Sequence, residues 1–154
     1  MRKHLFIFIC FLLAAPFFLY SQTAQEIEGL LNTSALNNQQ AAWLVLEAAD
    51  LSGPAGFPSQ GEAFRYAIEQ ELFPSNLMPN ERARLDQVSL LIMRSFNISG
   101  GLFYRLTGNR HYAYRELVYR NIIVGRADPE MAISGYDLLY MVNRLLSFQE
   151  DNLL

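Results

Sequence analysis

Lysine is all but missing from this chain: Lys3 stands alone beside eleven arginines. Cysteine is equally scarce, and a lone Cys10 excludes an intrachain disulfide framework. With only His4 and His111 beside that cysteine, no Cys/His zinc site can be assembled. No stretch alternates apolar and polar residues in the manner of a half-buried strand. Gly-x-Ser-x-Gly, His-Glu-x-x-His and phosphate-loop spacings do not occur, so the sequence offers no catalytic or nucleotide motif and implies no cofactor and no metal. What is present is 51% hydrophobic and 18% charged residues over 154 positions, which fits one folded domain and argues against disorder or low complexity.

The first residues read as an address. Arg2, Lys3 and His4 form a basic start, and Leu5 to Leu13 is an apolar run that continues to Tyr20 before polar Ser21-Gln22-Thr23. That layout predicts a secretory signal peptide over residues 1–21 with cleavage near Ser21, since the run falls short of the roughly 20 residues a membrane-spanning helix needs. An uncleaved anchor is the alternative, and only in that case does the chain meet a membrane. Bulky Phe8 and Ile9 precede Cys10, unlike a lipoprotein signal, so acylation is not expected. The expected location is therefore the periplasm or cell envelope, with residues 22–154 as the single domain.

Without Arg2 and Lys3, ten arginines face fifteen acids, a formal net charge of -5. The charge is unevenly placed. Residues 22–81 hold eight acids and Arg65 alone; residues 82–126 hold eight arginines with only Asp86 and Glu116; residues 127–154 hold five acids and Arg144. Two uses of the basic middle stay open: pairing with the acidic segments on either side, or a surface that meets an anionic partner such as a wall polymer. An acidic, exported chain argues against nucleic acid as that partner.

Apolar residues recur at the spacing of one helical stripe in Ala41, Leu44, Val45, Ala48; in Tyr114, Leu117, Val118, Ile122; and in Leu138, Met141, Val142, Leu145. Near-copies are Phe64, Ala67, Ile68, Leu72 and Val88, Leu91, Ile92, Phe96. Asn37 with Gln40, Ser59 with Glu62 and Ser134 with Asp137 have capping-box or related spacing. Gly53, Pro54, Gly56, Pro58, Pro74, Pro79 and later glycines break the pattern. These signals predict an all-α domain with main helices near 37–50, 60–72, 80–96, 110–122 and 134–148, and shorter ones near 24–31 and 101–107.

Shifted by 50 residues, 64–96 lies on 114–146 without a gap. Three pairs are identical, Arg65/Arg115, Pro79/Pro129 and Arg94/Arg144, and apolar positions match along both helices. The helix at 37–50 fits the second helix of the same unit, with Leu44 and Val45 over Met141 and Val142. The implied plan is a tandem helix-loop-helix repeat of about two and a half units, 36–52, 60–97 and 110–148. The competing explanation is that any two amphipathic helix pairs align this well.

His111-Tyr112-Ala113, then Asn121-Ile122-Ile123-Val124-Gly125, Asp128-Pro129 and Ile133-Ser134-Gly135-Tyr136-Asp137 carry a resemblance. The stretch 110–148 resembles an S-layer homology (SLH) domain, whose units are similar to a helix opening on His-Trp-Ala, a Gly-Ile-Ile-x-Gly turn and the signature Ile-Thr-Arg-Ala-Glu. Echoes at 60–97 and 37–50 are weaker. The resemblance implies a non-catalytic module that anchors exported proteins to cell-wall glycan, with units set around a pseudo-threefold axis. The signature arginine falls on Gly135, on Leu85 in Ala83-Arg84-Leu85-Asp86-Gln87, and on Asn38 in Leu36-Asn37-Asn38-Gln39-Gln40, so no copy keeps it. Arg84 is displaced by one position, which turns it about 100° around a helix.

The candidate ligand-binding residues are Tyr104, Arg105, Arg110, His111, Tyr112 and Arg115, with the displaced Arg84; Phe103, Tyr119 and Arg120 belong to the same basic and aromatic cluster. Aromatic faces stack on the C–H surface of sugars, and arginine forks bind carboxylates bidentately. The alternative is that Phe103 and Tyr114 belong to the core and arginine stems cover apolar surface. His111 reads as a helix-opening residue packed near Tyr112 rather than a base, because Glu116 five residues on is not its helical neighbour. The sequence thus supports two functions, neither of them enzymatic. One is a module that binds cell-wall polysaccharide or peptidoglycan. The other is a protein-protein scaffold or subunit of an envelope assembly, helped by the apolar tail from Phe148 to Leu154.

Overall fold

The computed structural model describes residues 27–125 and 128–151, and the regular elements among them are helices, with two isolated bridges. The expected signal peptide over residues 1–21 with Cys10, Arg126 and the Leu153-Leu154 end lie outside the described residues. Helix α1 covers residues 27–31. It is followed by α2 (Asn38–Ala48), α3 (Gln60–Glu69), α4 (Leu85–Ser95), α5 (Leu102–Thr107), α6 (Arg110–Tyr119) and α7 (Gly135–Asp151). The all-α expectation holds. Among the described residues no helix is long and apolar enough to cross a membrane.

Three inner helices, α2, α4 and α7, begin at one point. Leu36 N–H donates to the Ile133 carbonyl (2.9 Å), Ile133 N–H to the Ala83 carbonyl (3.2 Å) and Ala83 N–H to the Leu36 carbonyl (2.9 Å), closing a ring of three hydrogen bonds. All three residues are buried. A second tier follows: Asn38 N–H donates to Glu81 O (2.9 Å), Leu85 N–H to Met131 O (3.0 Å) and Gly135 N–H to Thr33 O (2.9 Å). Buried backbone groups need partners, and here three loops supply them to one another. This corrects the expected helix at 80–96: residues 79–81 form a turn and residues 82–84 run through the bridges that serve the ring, so α4 starts only at Leu85.

Each inner helix opens with a related cap. Asn37 and Gln40 form the reciprocal box, each side chain accepting the other's backbone N–H at 2.9 Å. Arg84 N–H donates to Gln87 Oε1 (3.1 Å), and Asp137 N–H donates to Ser134 Oγ (3.1 Å). The helix ends were less readable. Helices α2, α3, α4 and α6 stop two residues before Asp50, Glu71, Asn97 and Asn121, all with positive φ between 49° and 56°. In each case the next N–H reaches back five residues, as Leu72 does to Ala67 O (2.8 Å) and Ile122 to Leu117 O (2.9 Å). None of these four is glycine, which is why the expected ends at 72 and 122 overshoot.

Packing follows the stripes. Helix α3 lies on α2, α6 lies on α4, α2 touches both α4 and α7, and α5 leans on α6. Val45, Leu46, Leu91, Ile92, Leu117 and Leu138 are fully buried between them. At the first turn of α7 the backbone of Leu30 and Leu31 comes so close that a Cβ on Gly135 would collide with the Leu30 carbonyl oxygen. Gly135→Ala is therefore expected to lower the unfolding free energy by about 1–3 kcal/mol through overpacking. Gly29→Ala, on α1 with open space around it, is expected to raise it by about 0.5–1 kcal/mol. Urea denaturation followed by circular dichroism checks both, and a neutral Gly135→Ala would show that this close approach does not limit stability.

Candidate binding surface

The arginines of the middle block divide into bound and open ones. Asp86, buried in the first turn of α4, accepts from Arg84 (Nη2 to Oδ2 3.2 Å) and lies 3.0 Å from Arg110 Nε; Arg84 also reaches Glu130 at 2.8 Å. Burial pulls the Arg84 guanidinium down, but the hydrogen bonds and charges of Asp86 and Glu130 outweigh it and its pKa rises from the ordinary value. Glu116 accepts from Arg120 Nε (2.9 Å) and from Gly101 N–H (2.9 Å), while Arg120 also donates to Ser99 O (2.7 Å). The only two acids of the basic block thus serve the block itself. Among the described residues, Arg84 to Glu130 is the ion pair that joins it to an acidic flank.

Two more arginines cap helices. Arg94 donates to the carbonyl of Glu71, and Arg144 Nε donates to the carbonyl of Asn121 at 2.7 Å. Both acceptors are the left-handed residues that end α3 and α6. Arg82, Arg105 and Arg115 remain exposed, with no ion pair or side-chain hydrogen bond among the described residues.

A groove of about 320 Å³ runs between α5 and α6, lined by Phe103, Tyr104, Tyr112, Arg115, Glu116 and Tyr119 with residues 101–102. The Phe103 and Tyr112 rings stack at 5.5 Å with 16° between their planes. Tyr119 is 84% and Phe103 64% exposed, so Phe103 is surface rather than core. The Tyr104 phenol is raised above its ordinary value by burial, partly offset by Arg94. Of the seven sequence candidates, the structure brings Tyr104, Tyr112 and Arg115 together here. His111 stands outside the groove, edge-on to Tyr112 at 5.5 Å, Arg105 is exposed on α5, and Arg84 and Arg110 sit at Asp86.

Sequence reasoning missed a second hollow. A cleft of about 400 Å³ is lined by Ile122, Val124, Met131, Tyr136, Asp137 and Tyr140 among others, and a neighbouring one of about 470 Å³ shares Ile122 and Tyr140 and extends to Asn143, Arg144 and Phe148. A signal for it existed: α7 carries a second apolar stripe, Tyr136, Leu139, Tyr140, Leu146, beside the buried one.

The three positions that the sequence resemblance aligned with a signature arginine, Asn38, Leu85 and Gly135, are all buried. Asn38 donates through Nδ2 to Met78 O (2.8 Å), Leu85 is in the core, and Gly135 abuts Leu30. No cation stands at any of them. No group of three or more His, Cys, Asp or Glu side chains with metal-binding geometry occurs among the described residues. No family model, curated protein or solved structure matches the chain.

Removing the Asp86 carboxylate would leave Arg84 and Arg110 without their shared acceptor. Asp86→Ala is expected to destabilise the fold by about 2–4 kcal/mol, and Arg110→Ala by less, since its side chain is 42% exposed. Thermal and urea unfolding of the two variants check the order; the reverse order would remove Asp86 as the joint between α4 and α6.

Proposed function

We propose that this chain is an exported, non-catalytic envelope module of the SLH type, and that it binds an anionic wall glycan in the groove between α5 and α6. The repeat plan is supported by equivalent roles at matched positions. Pro79 O accepts from Gln39 N–H (3.1 Å) and Pro129 O from Asp86 N–H (2.8 Å), while Arg94 and Arg144 cap Glu71 and Asn121. Two of the three identities seen at a shift of 50 residues thus make equivalent hydrogen bonds, and the ring of three hydrogen bonds is consistent with a threefold plan. In this plan α1 is the short outer helix of the leading unit.

The glycan assignment is carried by the groove itself: an exposed Tyr119, the Phe103/Tyr112 stack and an exposed Arg115 that has no ion pair among the described residues. Aromatic faces cover the apolar face of a sugar ring, and a free guanidinium meets its carboxylate or phosphate with two hydrogen bonds. Because Asn38, Leu85 and Gly135 occupy the signature places, recognition moves to this groove. The basic and apolar start of the sequence supports export, and with it a periplasmic or cell-envelope location. A second reading, an interaction module for an envelope protein, is favoured by the two clefts along α7.

The purified protein is expected to sediment with isolated peptidoglycan at low salt and to be released as ionic strength rises. Tyr119→Ala combined with Arg115→Ala is expected to weaken this at least about tenfold, a loss of roughly 1.4 kcal/mol, with circular dichroism unchanged because both side chains are exposed. Absence of sedimentation at low salt, or an unaffected double variant, would refute the glycan assignment.

A further inference from the structure

Two half-buried arginines, Arg94 and Arg144, are met by neutral groups rather than by a carboxylate among the described residues. They hold matched places at a shift of 50 residues, and each donates to the carbonyl of the left-handed residue that ends α3 or α6, Glu71 or Asn121. Their other donors fare differently. Arg94 is closed in: its Nη2 donates to Gly108 O (3.3 Å) at the end of α5, and the Tyr104 phenol lies against it. In Arg144, Nη1 donates to the Tyr140 hydroxyl (3.2 Å) and the guanidinium carbon lies 5.6 Å from the centre of the Tyr140 ring. Its Nη2 meets no acceptor among the described residues, and the side chain lines the hollow of about 470 Å³.

A second guanidinium lines the same hollow. Arg120 is held by Glu116 through Nε (2.9 Å) and by Ser99 O through Nη2 (2.7 Å), with the Phe148 ring 5.9 Å away. Backbone carbonyls therefore fix both arginines, so a ligand does not have to order two long side chains on arrival. Glu116 balances the charge of Arg120 from outside, since it lines the α5–α6 groove and not this hollow. No carboxylate is among the residues that line it: the walls are Ile122, Tyr140 and Phe148, with Asn121, Asn143 and Ser147 as the neutral polar groups. A cation partly out of water and without a counter-ion is unfavourable, and a bound anion relieves it. The volume is that of a small-molecule site.

We propose that this hollow binds a small oxyanion, a carboxylate or phosphate carried on a ring-sized apolar body. The oxyanion takes charge-assisted hydrogen bonds from Arg144 and Arg120, and the apolar body lies against Tyr140 and Phe148. An inorganic anion would use only the charges and a neutral ring only the walls, so the ligand is defined by having both. The site shares no lining residue with the glycan groove and does not depend on it.

The test is calorimetric titration of the purified full chain with phenyl phosphate, benzoate and neutral benzamide at low ionic strength. At least one of the two anions is expected to bind saturably, one to one, at least about tenfold more tightly than benzamide, and to weaken as salt rises. A preference for phenyl phosphate assigns the oxyanion as a phosphate, and a preference for benzoate as a carboxylate. Asn143 is exposed and lines the hollow. Asn143→Glu, which sets a like charge beside the ligand, is expected to weaken binding at least about tenfold with circular dichroism unchanged. Asn143→Gln is expected to bind as the parent does, and Ser147→Glu gives an independent second reading of the loss. The Tyr119→Ala/Arg115→Ala variant is expected to retain binding. The proposal falls if neither anion binds saturably, if benzamide binds as tightly as the anions, or if Asn143→Glu and Ser147→Glu leave binding unchanged. Loss in the Tyr119→Ala/Arg115→Ala variant overturns it by moving the anion to the glycan groove. Binding that appears only once residues 150–154 are removed overturns it in favour of this chain's own residues 150–154 as the occupant.

Discussion

Three backbone hydrogen bonds hold the architecture to one solution. Leu36, Ala83 and Ile133 come from loops far apart in sequence, and each gives its N–H to one neighbour and its carbonyl to the other. A buried amide left without a partner is unfavourable by an amount comparable to the whole net value of a hydrogen bond, so no loop can withdraw without exposing the other two. The closure also fixes where α2, α4 and α7 begin and which residue of each faces the centre. Extended approach residues, prolines 79 and 129 as carbonyl acceptors, and the late start of α4 all follow from the need to reach the ring without entering a helix first.

The same constraint decides the fate of the polar residues near the ring. Asn38, Leu85 and Gly135 share one register position just past it, and all are buried because neighbouring loops press on them. At Gly135 the approach of Leu30 leaves no volume for any side chain. One residue later on α4, Asp86 stays in the interior only because Arg84 and Arg110 close on it from two sides, which links an inner helix to its outer partner. Charge in this molecule thus acts first as a joint between helices. Among the described residues, Arg82, Arg105 and Arg115 are the arginines of the block that the joints leave out.

Much of the fold was legible because its signals are local. Stripes at 41–48, 114–118 and 138–145 and the caps at Asn37, Ser59 and Ser134 involve residues three or four apart, and each appears where the spacing puts it. The helix ends were not, because Asp50, Glu71, Asn97 and Asn121 adopt a left-handed conformation that glycine usually marks. Glu71 is held there by the Arg94 side chain, a contact 23 residues away that no local pattern contains. The candidate surface was half legible for the same reason. Tyr104, Tyr112 and Arg115 lie on adjacent helices and meet, whereas nothing in the sequence tells that Arg110 is taken by an aspartate 24 positions earlier.

The partly exposed stripe of α7 is set by the same ring. Because the ring fixes the orientation of α7 regardless of what packs on it, the stripe from Tyr136 to Leu146 points outward. A helix end free to turn would rotate such a stripe toward the core, at roughly 25 cal/mol for each Å² of apolar surface removed from water. Here rotation would break the hydrogen bond from Gly135 N–H to Thr33 and carry Leu138, Met141 and Leu145 out of the interior. The apolar exposure along α7 is therefore locked in by the core.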